Sequence, residues 1–223
     1  MSKSIILLSG GLDSIVALAY CLKHTDYNIE IALTFDYGQK AFKSEAWASK
    51  KVCEYYNIQH KIIRLDWLEE ITKSGLVNSD IEISKKNNSI ENLWVPNRNG
   101  LFLNIAACFC DSFGYKHIIY GANKEESLLF SDNTEEFRAQ LTQGFKTSTM
   151  IQPTVVAPLI NYTKDDIVKI AIRESVPLEF VRSCYSSADK HCGECDSCRF
   201  LKRALKANNC EKYLGMLFNN HEN

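Results

Sequence analysis

Ile5-Ile-Leu-Leu-Ser-Gly-Gly-Leu-Asp-Ser-Ile-Val-Ala-Leu18 is the stretch from which the fold of this chain can be read. Ile5 to Leu8 form an unbroken apolar run, as in a strand buried on both faces. Ser9, Gly10 and Gly11 interrupt it. From Asp13 or Ser14 onward Ile15, Val16, Leu18, Ala19 and Leu22 recur at helical spacing. A strand, a turn with adjacent glycines and a helix start together make an anion site. Backbone N–H groups point at the ligand, the helix dipole adds partial positive charge, and glycine lets phosphate oxygens reach the main chain. The spacing is too short for Gly-x4-Gly-Lys-Ser/Thr, no lysine follows, and Gly-x-Gly-x-x-Gly is not matched.

Outward from this unit, residues 28–36 read as a second strand, 40–56 as a helix and 59–66 as a third strand carrying Ile62, Ile63 and Leu65. This alternation predicts an α/β fold, an open parallel sheet covered by helices. Residues 67–95 break the rhythm, and the polar run 84–89 is expected to be a mobile excursion near the mouth of the site. Pro96 to Gly100 form a turn before a helix reaching about Phe113, apolar nearly all round and therefore expected to be buried. Residues 117–120 read as a fourth strand and 124–133 as a polar loop. A helix through Phe137, Leu141 and Phe145 follows, then a short fifth strand at 155–159. Thr163-Lys-Asp-Asp166 is a capping box opening a helix that carries Ile167, Ile170 and Ala171. The expected division is an α/β domain at 1–180 and a cysteine-rich tail at 181–223.

The 223 residues are 45% hydrophobic and 24% charged, with a net charge of −1. These values suit a globular protein and supply no general pull toward nucleic acid or anionic membrane, so neither partner is expected. No apolar run approaches the roughly 18 residues of a membrane span. The first strand starts too early to leave room for a signal peptide, and the expected setting is the cytoplasm. Nine cysteines, an odd number with four crowded near the C-terminus, argue for a reducing compartment and a metal site rather than a disulfide framework. Scattered cysteines such as Cys108 and Cys110 read as small buried hydrophobes.

Cys192-Gly-Glu-Cys195-Asp-Ser-Cys198 repeats Cys-x2-Cys with a shared sulfur, and Cys184 precedes it. Four thiolates can close the tetrahedral shell of a structural zinc, which is the ion expected here; an iron–sulfur cluster uses similar spacing, so both remain open. With four sulfurs at hand, His191 reads as exposed or lying just behind them. A filled thiolate shell leaves no open position, so the metal would staple the tail.

Ser9-Gly-Gly-Leu-Asp-Ser14 resembles the pyrophosphate loop of the ATP pyrophosphatases. Asp36-Tyr-Gly-Gln39, Val95-Pro-x-Arg-Asn-Gly-Leu-Phe102 and Ser183-Cys-Tyr185 with the cysteine cluster extend the likeness nearly end to end. Together they resemble the 7-cyano-7-deazaguanine synthase (QueC) family. The resemblance implies an adenine nucleotide alpha hydrolase-like sheet, a small zinc-bearing C-terminal portion and a homodimer. It implies conversion of 7-carboxy-7-deazaguanine to the nitrile with ATP, Mg2+ and ammonia. Carried over residue by residue, Ser9, Gly10, Gly11, Asp13 and Ser14, with Leu8 and Leu12 beside them, would hold the ATP phosphates. Thr34 and Phe35 would meet adenine. Lys164 would approach the phosphates as a point charge, with Asp13 steadying the metal or the loop as its catalytic companion. Arg98, Glu126 and Asp132 would face the substrate, and Cys184, Cys192, Cys195 and Cys198 would bind zinc.

One segment departs from the pattern. Where the family reads Tyr-Ser-Gly-Tyr-Pro, this chain has Ser127-Leu-Leu-Phe-Ser131, Glu126 replaces an aspartate, and Asn133-Thr134 replaces Cys-Arg. The altered acceptor loop admits a second reading, a paralogue that couples the activated carboxylate to another amine and stops at the amide. A tRNA thiolation enzyme would want a basic surface and a cysteine pair beside the ATP loop. A non-catalytic ATP-binding module is the reading outside enzymes.

Overall fold

Ile5 and Ile6 are fully buried in β1 (Ser2–Leu7), and Leu8 just beyond it is almost so. β1 is the middle strand of a five-stranded parallel sheet. On one side it pairs with β2 (Tyr27–Asp36), which pairs with β3 (Gln59–Arg64); on the other lie β4 (His117–Ile119) and β5 (Thr154–Val156). The computed structural model describes residues 2–81, 83, 89–186 and 188–219. The polar run read at 84–89 lies outside these residues apart from Ser89.

The order β3-β2-β1-β4-β5 reverses direction between β1 and β4. Connections from these two strands leave to opposite sides and open a crevice at their C-terminal ends, where ligands of open α/β sheets sit. β3 is an edge strand, and Ile62 on it is 44% exposed.

Because strand side chains alternate, the sheet feeds two separate cores. Ile6 and Leu8 join α1 (Leu12–His24), α8 (Lys164–Arg173) and α9 (Asp196–Ala207) on one face. Ile5, Leu33 and Phe35 join α5 (Arg98–Phe113) on the other. α9 inserts Cys198, Leu201, Ala204 and Leu205 into the first core at helical spacing, so the tail is packed against the helices that follow β1 and β5.

α2 (Phe42–Tyr56) follows β2 and α7 (Glu135–Ser148) follows residues 124–133, while α3 (Asp66–Ile71), α4 (Ile90–Leu93) and α10 (Lys212–Leu217) are short. Two sequence expectations are corrected. α5 buries only one face, through Gly100, Phe102, Leu103, Ala106, Ala107 and Cys110. Cys108 is therefore exposed while Cys110 is buried, since positions two apart on a helix point in nearly opposite directions. The polar loop after β4 is partly helical, with α6 (Lys124–Ser127) and a 3-10 turn at Ser131–Asn133. The side chain of Asn123 accepts from the N–H groups of Glu125 and Glu126 and so starts α6.

Candidate active site

The turn between β1 and α1 closes on itself. Ser14 Oγ donates to the Gly11 carbonyl (3.0 Å) and accepts from the Ser9 amide (3.2 Å), and the Gly11 amide donates to Ser9 Oγ (3.3 Å). Gly10 sits at φ +77°, and a Cβ there would lie 2.7 Å from the Glu45 carbonyl and 2.8 Å from the Ala48 Cβ. The turn therefore requires glycine at 10 for backbone reasons. Gly11 is different: it caps the helix at φ −76°, and a Cβ there meets nothing nearer than 3.4 Å. Nothing in the protein itself demands glycine at 11, where the space beside the backbone stands open to the cavity. Gly121, at the end of β4, lets that chain lie against the start of α1, where a Cβ would come within 2.7 Å of the Ser14 amide.

Asp13 leaves the first turn of α1 toward Lys164, which begins α8 behind the Thr163–Asp166 capping box. The Lys164 ammonium bonds the Asp13 carboxylate and Glu126 Oε1, the latter at 2.8 Å. Lys164 is almost fully buried; burial opposes its charge, yet the two carboxylates hold its pKa above the usual range. Burial lifts the Asp13 carboxyl to about 6 even with Lys164 alongside. Burial opposes ionisation of Glu126 as well, but Lys164 keeps its carboxyl below the ordinary range. Asp13 Oδ1, the oxygen turned away from the lysine, is buried without a hydrogen-bond partner among the described residues. An open anionic oxygen beside a phosphate-type turn suits a hard cation.

Across the crevice stands a wall of aromatic and charged side chains. Phe35 stacks on Phe102 with centroids 3.9 Å apart, and Trp94 faces Phe130 at 6.2 Å with planes 19° apart. Arg98 donates to the Tyr37 hydroxyl (3.0 Å) and feels the charges of Asp132 and Glu45. Gln39, buried at the end of β2, accepts from the Tyr37 amide (2.9 Å) and donates to Glu45 Oε2 (2.8 Å). Burial raises the Glu45 carboxyl to about 6 against the opposing pull of Gln39 and Arg98. Turn and wall line one cavity of about 230 Å3 that includes Leu8, Ser9, Gly11, Asp13, Thr34, Phe35, Arg98, Glu126 and Asp132. Thr34 is tied by its hydroxyl to the Leu8 carbonyl (2.6 Å).

The cysteine cluster lies in the first core, behind the turn. Cys184, Cys192, Cys195 and Cys198 hold their sulfurs within 4.8 Å of one another, with 3.8 Å between Cys192 and Cys198. A tetrahedron of Zn–S bonds of about 2.3 Å has edges of about 3.8 Å, so the spacing suits a single ion, whereas a cluster interposes several atoms and spreads its thiolates further. The amides of Cys192 and Ser186 donate to Cys184 Sγ, and those of Glu194 and Cys195 to Cys192 Sγ, as thiolates prefer. The four-cysteine cluster can hold a metal. His191 is not exposed: it is fully buried, accepts at Nε2 from the Ser183 amide (3.0 Å) and faces the Leu217 carbonyl with Nδ1 (3.0 Å). Burial pushes its pKa to about 4, so the ring is neutral, and both its nitrogens are engaged with the backbone rather than turned to the cysteine cluster.

Residues 3–209 match the model of the queuosine biosynthesis protein QueC family. The chain belongs to the QueC family. It is 43% identical over 217 residues to a 7-cyano-7-deazaguanine synthase of Carboxydothermus hydrogenoformans, covering 93% of this chain and all of that protein. It is 42% identical over 218 residues to a 7-cyano-7-deazaguanine synthase of Methanosarcina barkeri, covering 92% of this chain and 94% of that one. Two solved structures share the fold. One is the U34-tRNA thiolase NcsA from Methanococcus maripaludis with its 4Fe-4S cluster, at a TM-score of 0.51 and 20% identity, covering 95% of this chain and 67% of that one. The other is a 4-thiouridine synthetase–RNA complex with bound ATP, at a TM-score of 0.54 and 18% identity, covering 95% of this chain and 53% of that one.

Within this QueC-family site, Ser9, Gly11, Asp13, Ser14, Arg98, Glu126 and Asp132 meet around one void, with Lys164 behind Asp13 and Glu126. Three participants were not singled out by sequence: Glu45, the Tyr120 hydroxyl and Ser183. Tyr120 lines the cavity from the end of β4 with a buried hydroxyl that has no partner among the described residues. In the sequence Ser183 stands out only as the first residue of Ser183-Cys-Tyr185. All three reach the site through chain closure, for which no local pattern exists.

Proposed function

We propose that this protein is an ATP-dependent carbon–nitrogen ligase that converts 7-carboxy-7-deazaguanine to 7-cyano-7-deazaguanine with ammonia. The observation that carries the reading is the single cavity shared by the phosphate-type turn and the aromatic, charge-bearing wall. A triphosphate held by Ser9, Gly10, Gly11 and Ser14 would present its α-phosphorus to a carboxylate oriented by the wall. Thr34 and Phe35 stand where adenine would enter.

A carboxylate is inert toward ammonia because its leaving group would be oxide. Transfer of AMP to its oxygen, with release of pyrophosphate, gives an acyl adenylate that ammonia opens to the amide and AMP. A second ATP activates the amide oxygen in the same way, and loss of AMP and a proton leaves the nitrile. No nucleophilic side chain is required. The chain's work is to clamp, orient and neutralise, with Lys164 countering charge on the phosphates and Arg98 and Asp132 fixing the heterocycle. When bound with ATP, Mg2+ supplies charge neutralisation and a template, and Asp13, with its unpartnered Oδ1, is the residue that would hold it. Zinc at Cys184, Cys192, Cys195 and Cys198 would staple the 181–223 tail. A cytoplasmic homodimer completes the proposal; an odd number of cysteines with four gathered into one cluster suits a reducing compartment.

Mass spectrometry of the product formed from 7-carboxy-7-deazaguanine, ATP, Mg2+ and ammonia tests the reading. A nitrile is expected. Accumulation of the amide, or no pyrophosphate release, removes it.

A further inference from the structure

The chain returns to the phosphate turn from its far end. The Arg182 amide donates to the Gly10 carbonyl (2.8 Å), and the Leu12 amide, 171 residues away from Ser183 in sequence, donates to Ser183 Oγ (3.1 Å). Leu12 is the first residue of α1, and its N–H belongs to the group of helix-opening amides that no carbonyl of the helix can satisfy. Gly11, at the cap position, has no side chain to offer, so the serine of the tail takes that place.

A hydroxyl that accepts at Leu12 still has its own proton to give. Ser183 Oγ has no other hydrogen bond among the described residues, lines the cavity and lies 3.7 Å from where a Gly11 Cβ would stand. It faces the space that the absence of a side chain at Gly11 keeps open. The position of Ser183 is in turn set by the tail. Its amide donates to His191 Nε2, which leaves the proton on Nδ1 to donate to the Leu217 carbonyl, and its neighbours along the chain are Cys184 and, through His191, Cys192.

We propose that Ser183 is a phosphate ligand of ATP, donated to the turn by the cysteine-held tail, and that the metal site at the four cysteines thereby sets triphosphate affinity. The proposal rests on the reading of the Ser9–Ser14 turn as the triphosphate site. It separates two roles for one serine. A mere cap would support folding and leave the ligands' relative affinities alone, whereas a phosphate ligand acts on ATP and spares the carboxylate.

The test measures binding of the α,β-methylene analogue of ATP by calorimetry on the full-length, metal-loaded protein, with steady-state KM values for ATP and for the carboxylate. Ser183→Ala is expected to weaken the analogue about tenfold to 100-fold, the range of one hydrogen bond to a charged group, with the carboxylate KM unchanged. Ser183→Thr, which keeps the hydroxyl, is expected to restore most of it. Stripping the metal with a chelator should weaken the analogue by at least the same factor, and Ser183→Ala should then cost nothing more. Equal losses for ATP and carboxylate together with a lowered melting temperature would reduce Ser183 to a cap and overturn the proposal. So would unchanged affinity in Ser183→Ala while Gly11→Val abolishes binding, a result that leaves the triphosphate reading intact. A wild-type protein that binds no analogue overturns that reading and this inference with it.

Discussion

The phosphate turn and the acceptor wall face each other across one cavity but are held in opposite ways. The turn closes on itself through hydrogen bonds spanning two to five residues, and the tail only adds to it from behind through Arg182 and Ser183. The wall depends on bonds from far along the chain. Asn99 reaches the Asp132 carbonyl across 33 residues, the Lys164 amide reaches Glu125 across 39, and Arg203 reaches Glu125 (2.6 Å) across 78. A locally closed turn is formed by its own residues once the flanking strand and helix exist. A wall assembled from remote elements takes its shape only after the whole molecule has folded, and its loop can change sequence while the remote anchors stay. Residues 127–131, read above as the departure from the family pattern, lie in the second kind of region, and Ser9–Ser14 in the first.

The largest effect is expected where the two regions join. Lys164→Ala removes the buried counter-charge of the part-buried Asp13 and half-buried Glu126 carboxylates. This costs about 2–3 kcal/mol of stability, below the full cost of a broken buried pair because water reaches Glu126. Turnover should fall about a hundredfold or more, as when a preorganised electrostatic group is lost. Chemical denaturation and product assays check both, and a variant of native stability would show that turn and wall are not joined through this ammonium.

Next comes the turn alone. Gly10→Ala forces a side chain into the left-handed region and against the Glu45 carbonyl, at a combined cost of about 3 kcal/mol. Gly11→Ala should fold normally and lose ATP binding instead. Denaturant midpoints and analogue titrations, taken together, distinguish the two glycines; equal behaviour would erase the distinction.

The wall should respond in substrate terms only. Asp132→Asn keeps the shape of the side chain but removes a charge that faces Arg98, and should raise the carboxylate KM by about tenfold or more with the KM for ATP unmoved. A change in the ATP constant instead would mean the wall reads nucleotide.

The smallest effect is a gain. Burial raises the folded-state pKa of Glu45 from 4.5 to about 6, so the protein holds this proton more tightly folded than unfolded. The penalty is absent below about pH 4.5, grows as pH rises to 6 and is complete above it, where it reaches about 2 kcal/mol. Glu45→Gln should therefore melt higher than the wild type at pH 7.5 and equal to it at pH 4. A gain independent of pH would point to packing rather than charge.

What was legible in the sequence follows the same division. The strand–turn–helix unit, the capping box at Thr163 and the cysteine spacing are patterns of neighbours, and the parallel sheet follows from the alternation they punctuate. Glu45, Tyr120 and Ser183 carry no local mark because their significance comes from strands and tail meeting 30 to 170 residues apart, on the order of chain closure rather than of pattern. Cys108 was misread for a different reason: the composition of α5 is apolar all round, and only the placement of the sheet decides which face is covered. Asn123 was a readable cap before Lys-Glu-Glu, overlooked because the segment after it looked merely polar.

The two cores on opposite faces of the sheet divide labour as well as space. The Ser9–Ser14 turn, the proposed triphosphate end, rests on α1, α8 and the tail in one layer, and the wall proposed to take the heterocycle on α5 and the strand residues beneath it in the other. An engineer seeking new carboxylic acids for this scaffold could confine a library to the second layer and to residues 127–131. Energy supply would then stay constant across the library, and each hit would report on acceptor choice alone.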